Sequence, residues 1–327
     1  MYNIVTVRAF RFGFQFTNDD PGEVVRSARA AEDVGFHIFH TGDHVNAKPS
    51  TLASLVAASA GTTRIRLCPL VLNNDLRHPV VLAQELATID RLSEGRLEVG
   101  IGAGHSFTEY AAIGKQFDPP VLRKARLAEA VEILRALFDG ERVSYSGEHY
   151  HLKDISIVRP TQDHVPILVG VNGKSALAHA ADNADTIGLT MLGRTLPGGQ
   201  RHEVRWAPER LDAAVAWIRT RAGERWPRLE FHALIQAIVI TDDRQRVAKQ
   251  MADSIPGLRV EDALTTPFLA LGTKEEIADH LLACRERWGI SYYSVRDVDA
   301  FAPVIELLRA HDEVDRVQGG RQAPYRS

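Results

Sequence analysis

Asp43 and His44 stand side by side early in the chain, and His105 directly follows a run of alternating glycines, Gly100-Ile101-Gly102-Ala103-Gly104. An imidazole titrates near neutral pH and can give or take a proton beside a reacting group. The structural alternatives are plain: Asp43 caps the segment that follows it, His44 fills space, and His105 is an ordinary loop residue. The glycines carry a second signal. At the carboxyl end of a strand they let another molecule approach the backbone closely. In parallel α/β folds that end of the strand carries the ligand. Together these features point to a planar or phosphorylated cofactor lying over a strand terminus. The G-x-G-x-G spacing is not the dinucleotide fingerprint, and no helix opens at the glycines, so a Rossmann reading has little support.

A second glycine-containing turn, Gly170-Val171-Asn172-Gly173-Lys174-Ser175, joins an apolar segment to a helix-like one. Free backbone N–H groups, a helix N-terminus and Lys174 together favour an anion. Asn172 and Gly173 equally suit a simple turn. Thr190, at the end of the next apolar segment, adds a hydroxyl. His37, His40 and His44 do not make a metal site, because His37 and His40 point to opposite faces of a strand. The segment Cys68-Pro69-Leu70-Val71-Leu72-Asn73 reads as a buried strand ending in a polar loop residue. Near the other end of the chain, Tyr292 and Tyr293 face opposite ways, so at most one lines an interior; with Arg296 they read as core or loop anchors.

The elements that must position these residues alternate almost throughout. Strand-like segments lie at 10–16, 36–41, 64–72, 97–102, 166–171, 186–190, 229–241, 268–271 and 291–295. Helix-like segments lie at 21–34, 52–60, 79–92, 123–139, 174–184, 209–222, 243–251, 274–287 and 302–310. Gly35 is a helix stop and Pro79 a favourable first-turn residue. Residues 141–165 break the rhythm with an alternating, turn-rich hairpin pattern. Residues 191–208 have no periodicity, contain Gly193, Gly198 and Gly199, and are long enough for a lid. About eight βα units predict a (β/α)8 barrel of the α/β class with insertions; an open doubly wound sheet is the alternative. One domain over 1–311 is the simplest count, with a polar, solvated tail at 312–327.

Composition sets the outer bounds. The chain has 327 residues, 45% hydrophobic and 25% charged, with a net charge of −3. That balance gives no reason to expect nucleic acid or an acidic membrane surface. No apolar run approaches the roughly 20 residues of a membrane helix. The N-terminal stretch carries Arg8 and Arg11 within its apolar residues and reads as a first strand rather than a signal peptide. Cys68 and Cys284 are the only cysteines, which suggests a cytoplasmic protein without disulfides or zinc.

Several blocks, in order over nearly the whole chain, resemble the bacterial luciferase-like superfamily. They include Ala28-Arg29-Ala30-Ala31-Glu32-Asp33-Val34-Gly35-Phe36, Thr41-Gly42-Asp43-His44, Arg77-His78-Pro79, Ala87-Thr88-Ile89-Asp90-Arg91-Leu92-Ser93-Glu94-Gly95-Arg96-Leu97 and the glycine run. Glu109-Tyr110, Gly147-Glu148-His149-Tyr150 and Trp288-Gly289-Ile290-Ser291-Tyr292-Tyr293 extend the match. The branch most resembled is the coenzyme F420-dependent oxidoreductases of actinobacterial, mycobacterial type. The resemblance implies a (β/α)8 barrel, often a homodimer, with a deazaflavin ring at the carboxyl ends of the strands and a small-molecule substrate.

It also implies roles. Asp43 lies near the cofactor and His44 faces substrate. A non-prolyl cis peptide near Leu70 and Val71 bulges toward the back of the ring, with Asn73 at its polar edge and Gly104 beside it. Gly170, Asn172, Gly173, Lys174 and Thr190 take the phosphate-bearing chain. His105 replaces a carboxylate that serves as proton donor in the sugar-phosphate dehydrogenases of the family; the change argues against that reaction while leaving acid–base chemistry open. Two other functions compete: an FMN-dependent monooxygenase and a non-catalytic flavin-binding barrel. The Asp43-His44 pair favours the deazaflavin.

Overall fold

The computed structural model describes residues 8–45, 48–171, 173–195 and 202–320. Eight barrel strands run in chain order: β1 (Arg11–Phe16), β2 (Ile38–Thr41), β3 (Arg66–Pro69, resumed at Leu72–Asn73), β4 (Val99–Gly102), β5 (Ile167–Val171), β6 (Thr186–Leu189), β7 (Glu230–Leu234) and β8 (Ile290–Val295). Each is hydrogen-bonded in parallel to its neighbours, and β8 pairs with both β1 and β7. The two pieces of β3 close the ring, the first against β2 and the second against β4. All the βα loops therefore open at one end, which is where a ligand is expected in this architecture.

The helices that wrap the barrel are α1 (Val24–Val34), α2 (Thr51–Gly61), α3 (Pro79–Leu92), α4 (Phe107–Ala112), α5 (Pro120–Phe138), α6 (Lys174–Asn183), α7 (Pro208–Ala222), α8 (Arg244–Ser254), α9 (Val260–Thr265), α10 (Lys274–Trp288) and α11 (Val298–Gly320). Local chemistry sets several ends. Gly35 closes α1 at φ 96°, and Thr273 with Glu276 forms a capping box on α10. Outward-facing residues such as Phe12, Leu67, Val99, Ile101, Val169 and Ile187 are fully or almost fully buried in the strand–helix core. No helix among the described residues is long and apolar enough to cross a membrane.

The interior is filled unevenly. Gly13, Gly100, Gly102, Gly170 and Gly188 occupy the inward register; at Gly13 and Gly102 a larger side chain from another strand uses the room, and at Gly100 the Pro69 carbonyl does. A Cβ on Gly13 would strike the His40 ring, and one on Gly102 would come within 2.9 Å of Val71. Tyr292 points inward beside His40, while Tyr293 points outward toward Phe10, so one of the two lines the interior as its register requires.

Four expectations change. The single strand expected at 229–241 is two: β7 stays in the barrel, and Ala237–Ile240 leaves it to pair in parallel with Leu269–Gly272. Residues 191–208 begin and end as an antiparallel ribbon, Leu192–Thr195 with His202–Val204. Helix α4 was not expected at all. The terminal helix continues well past residue 312 instead of giving way to a tail, and Asp312 accepts from the Phe10 N–H at 2.8 Å and from Arg285 at 2.5 Å. A carboxylate that reads as solvated polar sequence is thus tied to the first strand.

Candidate active site

Asp43 and His44 leave β2 in a turn pinned by the Thr51 hydroxyl, which donates to the Gly42 carbonyl. The two side chains then diverge. Asp43, 9% exposed, accepts from the Asn73 N–H at 2.9 Å and from both Arg77 Nη atoms at 2.7 and 3.0 Å. This forked ion pair uses both carboxylate oxygens. Asp43 therefore ties the end of β2 to the end of β3. The same pairing holds the Arg77 guanidinium above its ordinary range despite burial, which opposes it.

His44 points outward and is 38% exposed at its side chain. Its Nδ1 lies 2.8 Å from Glu109 Oε1, and Glu109 Oε2 accepts from the Val45 N–H at 3.1 Å. An ionised carboxylate only accepts, so Nδ1 carries the proton and Nε2 is left for another partner. The His105 ring stands edge-on to His44 at 5.8 Å, with an interplanar angle of 89°. The two imidazoles predicted from sequence thus share one mouth.

Asn73 is buried, and its Oδ1 accepts from the Asp75 N–H at 3.1 Å and from the Tyr110 hydroxyl at 3.0 Å. Its amide oxygen is therefore taken by the protein rather than presented to a ring edge. Burial and then Asp75 push the Tyr110 phenol upward, so it stays a donor. Gly104 sits against this pair at φ 76°, and a Cβ there would lie 2.5 Å from Asn73 Oδ1. The Ala103 and Gly104 carbonyls accept from Arg123, whose guanidinium stacks 4.1 Å over Phe117. Arg126 bridges Asp75 and Asp118 beyond it.

The peptide between Leu70 and Val71 is cis. Both side chains pack on an interior cluster of Ile38, Cys68, Leu168 and Tyr292. Val71 also lies over Gly102 and 3.5 Å from where a Gly170 Cβ would be. Gly102 makes room for the chain's own β3 segment, and Gly170, at the end of β5, touches Val71 at ordinary contact distance.

On the opposite side of the mouth, Gly173 opens α6 at φ 85°. A Cβ on it would stand 3.4 Å from Lys124 Nζ, a cation supplied by α5. Burial and then Arg123 hold that ammonium below its ordinary range. Lys174 is exposed on the first turn of α6. Thr190 Oγ1 is buried with no hydrogen-bond partner among the described residues. Asn172 lies outside the described residues. No group of His, Cys, Asp or Glu among the described residues could hold a metal.

Sequence reasoning passed over Arg77, Tyr110, Arg123 and Lys124 as site residues and gave Glu109 no role. Each acts on a partner at least 19 residues away, and only α4, with Glu109 and Tyr110 adjacent on it, carried a local signal.

Among curated proteins, an F420-dependent glucose-6-phosphate dehydrogenase of Nakamurella multipartita is 33% identical over 225 residues, covering 64% of this chain and 66% of that protein. A second of the same description, from Microbacterium testaceum, is 33% identical over 176 residues, 51% of this chain. The chain thus spans about half to two thirds of the length of these relatives. Among solved structures, the coenzyme F420-dependent tetrahydromethanopterin reductase of Methanopyrus kandleri superposes with a TM-score of 0.72 at 21% identity, covering 91% of this chain and 97% of that one. At that identity the likeness speaks for the barrel alone. A family model described as luciferase-like monooxygenase matches residues 5–292, most of the chain, and this protein belongs to that family.

Proposed function

We propose that this chain is a coenzyme F420-dependent oxidoreductase, moving a hydride between the deazaflavin C5 and a small organic substrate. The observation that carries the reading is the His44–Glu109 pair at the mouth of the barrel: an imidazole of fixed tautomer whose Nε2 is not committed to the protein among the described residues. The F420-dependent activity in the names of the curated relatives supports it.

The residues fit such a cofactor. Thr190 Oγ1 has no partner among the described residues, Gly173 leaves the helix start open to an anion, and Lys124 and Lys174 supply charge there. These groups would hold the phosphate-bearing chain, and Leu70 and Val71 would back the ring. When bound, the deazaflavin supplies or accepts the hydride. His44 holds or delivers the proton at Nε2, and Glu109 keeps the ring oriented. Asp43, with both oxygens engaged, positions the strand ends. His105, beside His44, replaces a carboxylate with a group of different charge and pKa range. We infer that the substrate is an uncharged carbonyl or alcohol rather than a sugar phosphate; the exposed Val45 and Phe107 next to the two imidazoles favour an apolar body. A homodimer is part of the same proposal.

Titration of the purified chain with oxidised deazaflavin and, separately, with FMN tests the reading. Saturable quenching of deazaflavin fluorescence is the expected result. Tight FMN binding with no response to deazaflavin would replace it with the flavin monooxygenase. A screen of alcohols, ketones, enones and sugar phosphates with the bound cofactor then tests the substrate class.

A further inference from the structure

Four titratable groups, His40, Cys68, His232 and Tyr292, lie buried inside the barrel and have no place in the proton step. Two form a line. The Tyr292 hydroxyl is 2.8 Å from His40 Nε2, and His40 Nδ1 is 2.9 Å from the Cys68 carbonyl oxygen. A carbonyl only accepts, so Nδ1 carries the hydrogen. Burial drives the His40 pKa down to about 4, so the ring is neutral, and Nε2 then offers only a lone pair to the Tyr292 O–H. Each group in the line has one possible direction.

The surroundings keep it in place. The His232 ring meets Tyr292 edge-on at 4.6 Å and bonds Ser294 Oγ at 2.9 Å. Arg11 lies 4.8 Å over the Tyr292 ring. Gly13 leaves the space that His40 fills. The line ends at the carbonyl that leads, through Pro69, into Leu70 and Val71. That segment is held from the other side as well: the Leu70 N–H donates to the Thr41 carbonyl at 2.8 Å, and the Leu70 carbonyl accepts from Gln15 at 3.4 Å. Arg296 in turn donates to Gln15 at 2.9 Å.

We propose that Tyr292 and His40 are positioning residues for the cofactor seat: by holding the Cys68 carbonyl they set the place of the Leu70–Val71 segment against which the ring would rest. The proposal rests on the reading of that segment as the back of the cofactor site. A purely space-filling role predicts that apolar replacements of similar size serve as well. A positioning role predicts that the donor to the carbonyl matters.

Three variants of the full chain separate these roles: His40→Leu, His40→Asn and Tyr292→Phe. An asparagine amide can donate from near the place of Nδ1, whereas leucine cannot. Deazaflavin affinity is read by fluorescence titration, and amide hydrogen exchange at Leu70 and Val71 is read without cofactor. We expect His40→Leu to weaken binding about tenfold, the loss of roughly one buried hydrogen bond, and to speed exchange at Leu70 and Val71. His40→Asn should restore most of both, and Tyr292→Phe should lose about threefold in affinity. If folded His40→Leu matches the wild type in affinity and exchange, or if His40→Asn restores neither, the proposal is overturned. Should His40→Leu fail to fold, Tyr292→Phe decides, and unchanged affinity and exchange overturn the proposal. Wild-type protein that binds no deazaflavin would instead sink the functional reading, and the exchange measurement would still judge the hold on the segment.

Discussion

The two sides of the barrel mouth are built differently. The side formed by β2, β3 and β4 is dense with polar contacts: Arg77 on Asp43, Asp43 on Asn73, Tyr110 on Asn73, Arg126 on Asp75, Arg123 on the glycine loop and Glu109 on His44, with Thr41 Oγ1 and Asn74 Oδ1 left without a partner among the described residues. The side formed by β5 and β6 has an open helix start at Gly173, an exposed Lys174 and a Thr190 hydroxyl with no partner among the described residues. A dense network of ion pairs and hydrogen bonds fixes geometry, whereas an open helix start flanked by lysines is a place that an anion can occupy. The contrast teaches where each kind of function should sit: chemistry on the rigid side, cofactor retention on the other.

Substitutions should therefore sort by side. The largest effect is expected for His44→Ala, a loss of turnover on the order of 10²-fold with cofactor affinity nearly unchanged, measured by steady-state kinetics beside fluorescence titration. His105→Ala is the control, and a larger loss there than at His44 would move the proton route to the glycine loop. Gly173→Asp places a carboxylate where the phosphate would sit and should weaken cofactor binding by more than about tenfold through like-charge repulsion, beside a loss of melting temperature because φ 85° and ψ 153° favour glycine. Asp43→Ala should act on stability instead of binding. It removes the partner of Arg77 and the acceptor of Asn73, and should cost on the order of 2 kcal/mol in a urea melt. That is less than the value for a fully buried pair, because Arg77 keeps 22% of its side-chain exposure. If Asp43→Ala weakens cofactor binding as much as Gly173→Asp does, the contrast between the sides is gone.

Lys124→Ala comes next, with a loss of several-fold in cofactor affinity that shrinks at high salt. The smallest effect is expected from mild acid. His37 and His40 have folded pKa values lowered to about 4, mainly by burial, against 6.5 in the unfolded chain. The unfolded chain takes up these protons first, so their contribution to stability is complete above about pH 6.5 and is lost as pH falls toward 4. Between pH 7 and 6 each should contribute on the order of half a kcal/mol, seen as a lower melting temperature. His40→Asn should make that slope shallower.

The sequence carried the frame of the molecule. Helix α3 begins and ends where Pro79 and the periodicity place it, and the parallel strands with glycine-marked ends put Asp43, Asn73 and Gly104 at one mouth. What stayed hidden depended on long-range contacts. Helix α4 has six residues, too few for periodicity to register, yet it holds both Glu109 and Tyr110. The continuous apolar pattern at 229–241 could not show that the chain changes sheets near Gln236, whose N–H donates to the Phe268 carbonyl. Arg123 on Ala103, Arg77 on Asp43 and Arg126 on Asp75 join residues 20 to 51 positions apart, and no local pattern marks such pairs. Glycines in a strand do mark close approach, but at Gly102 the neighbour is the chain's own Val71.

Those inward glycines have a consequence for how this barrel can vary. Where Gly13 stands under the His40 ring and Ser294, and Gly102 under Val71, the small residue and the large one share a single slot. A methyl group added on one strand has to be matched by shortening on another, so interior changes should be tolerated in compensating pairs and rejected singly. Gly102→Ala with Val71→Ala would measure this directly, because the double variant should recover stability that the glycine change alone loses, a coupling that double-mutant cycles read as non-additivity.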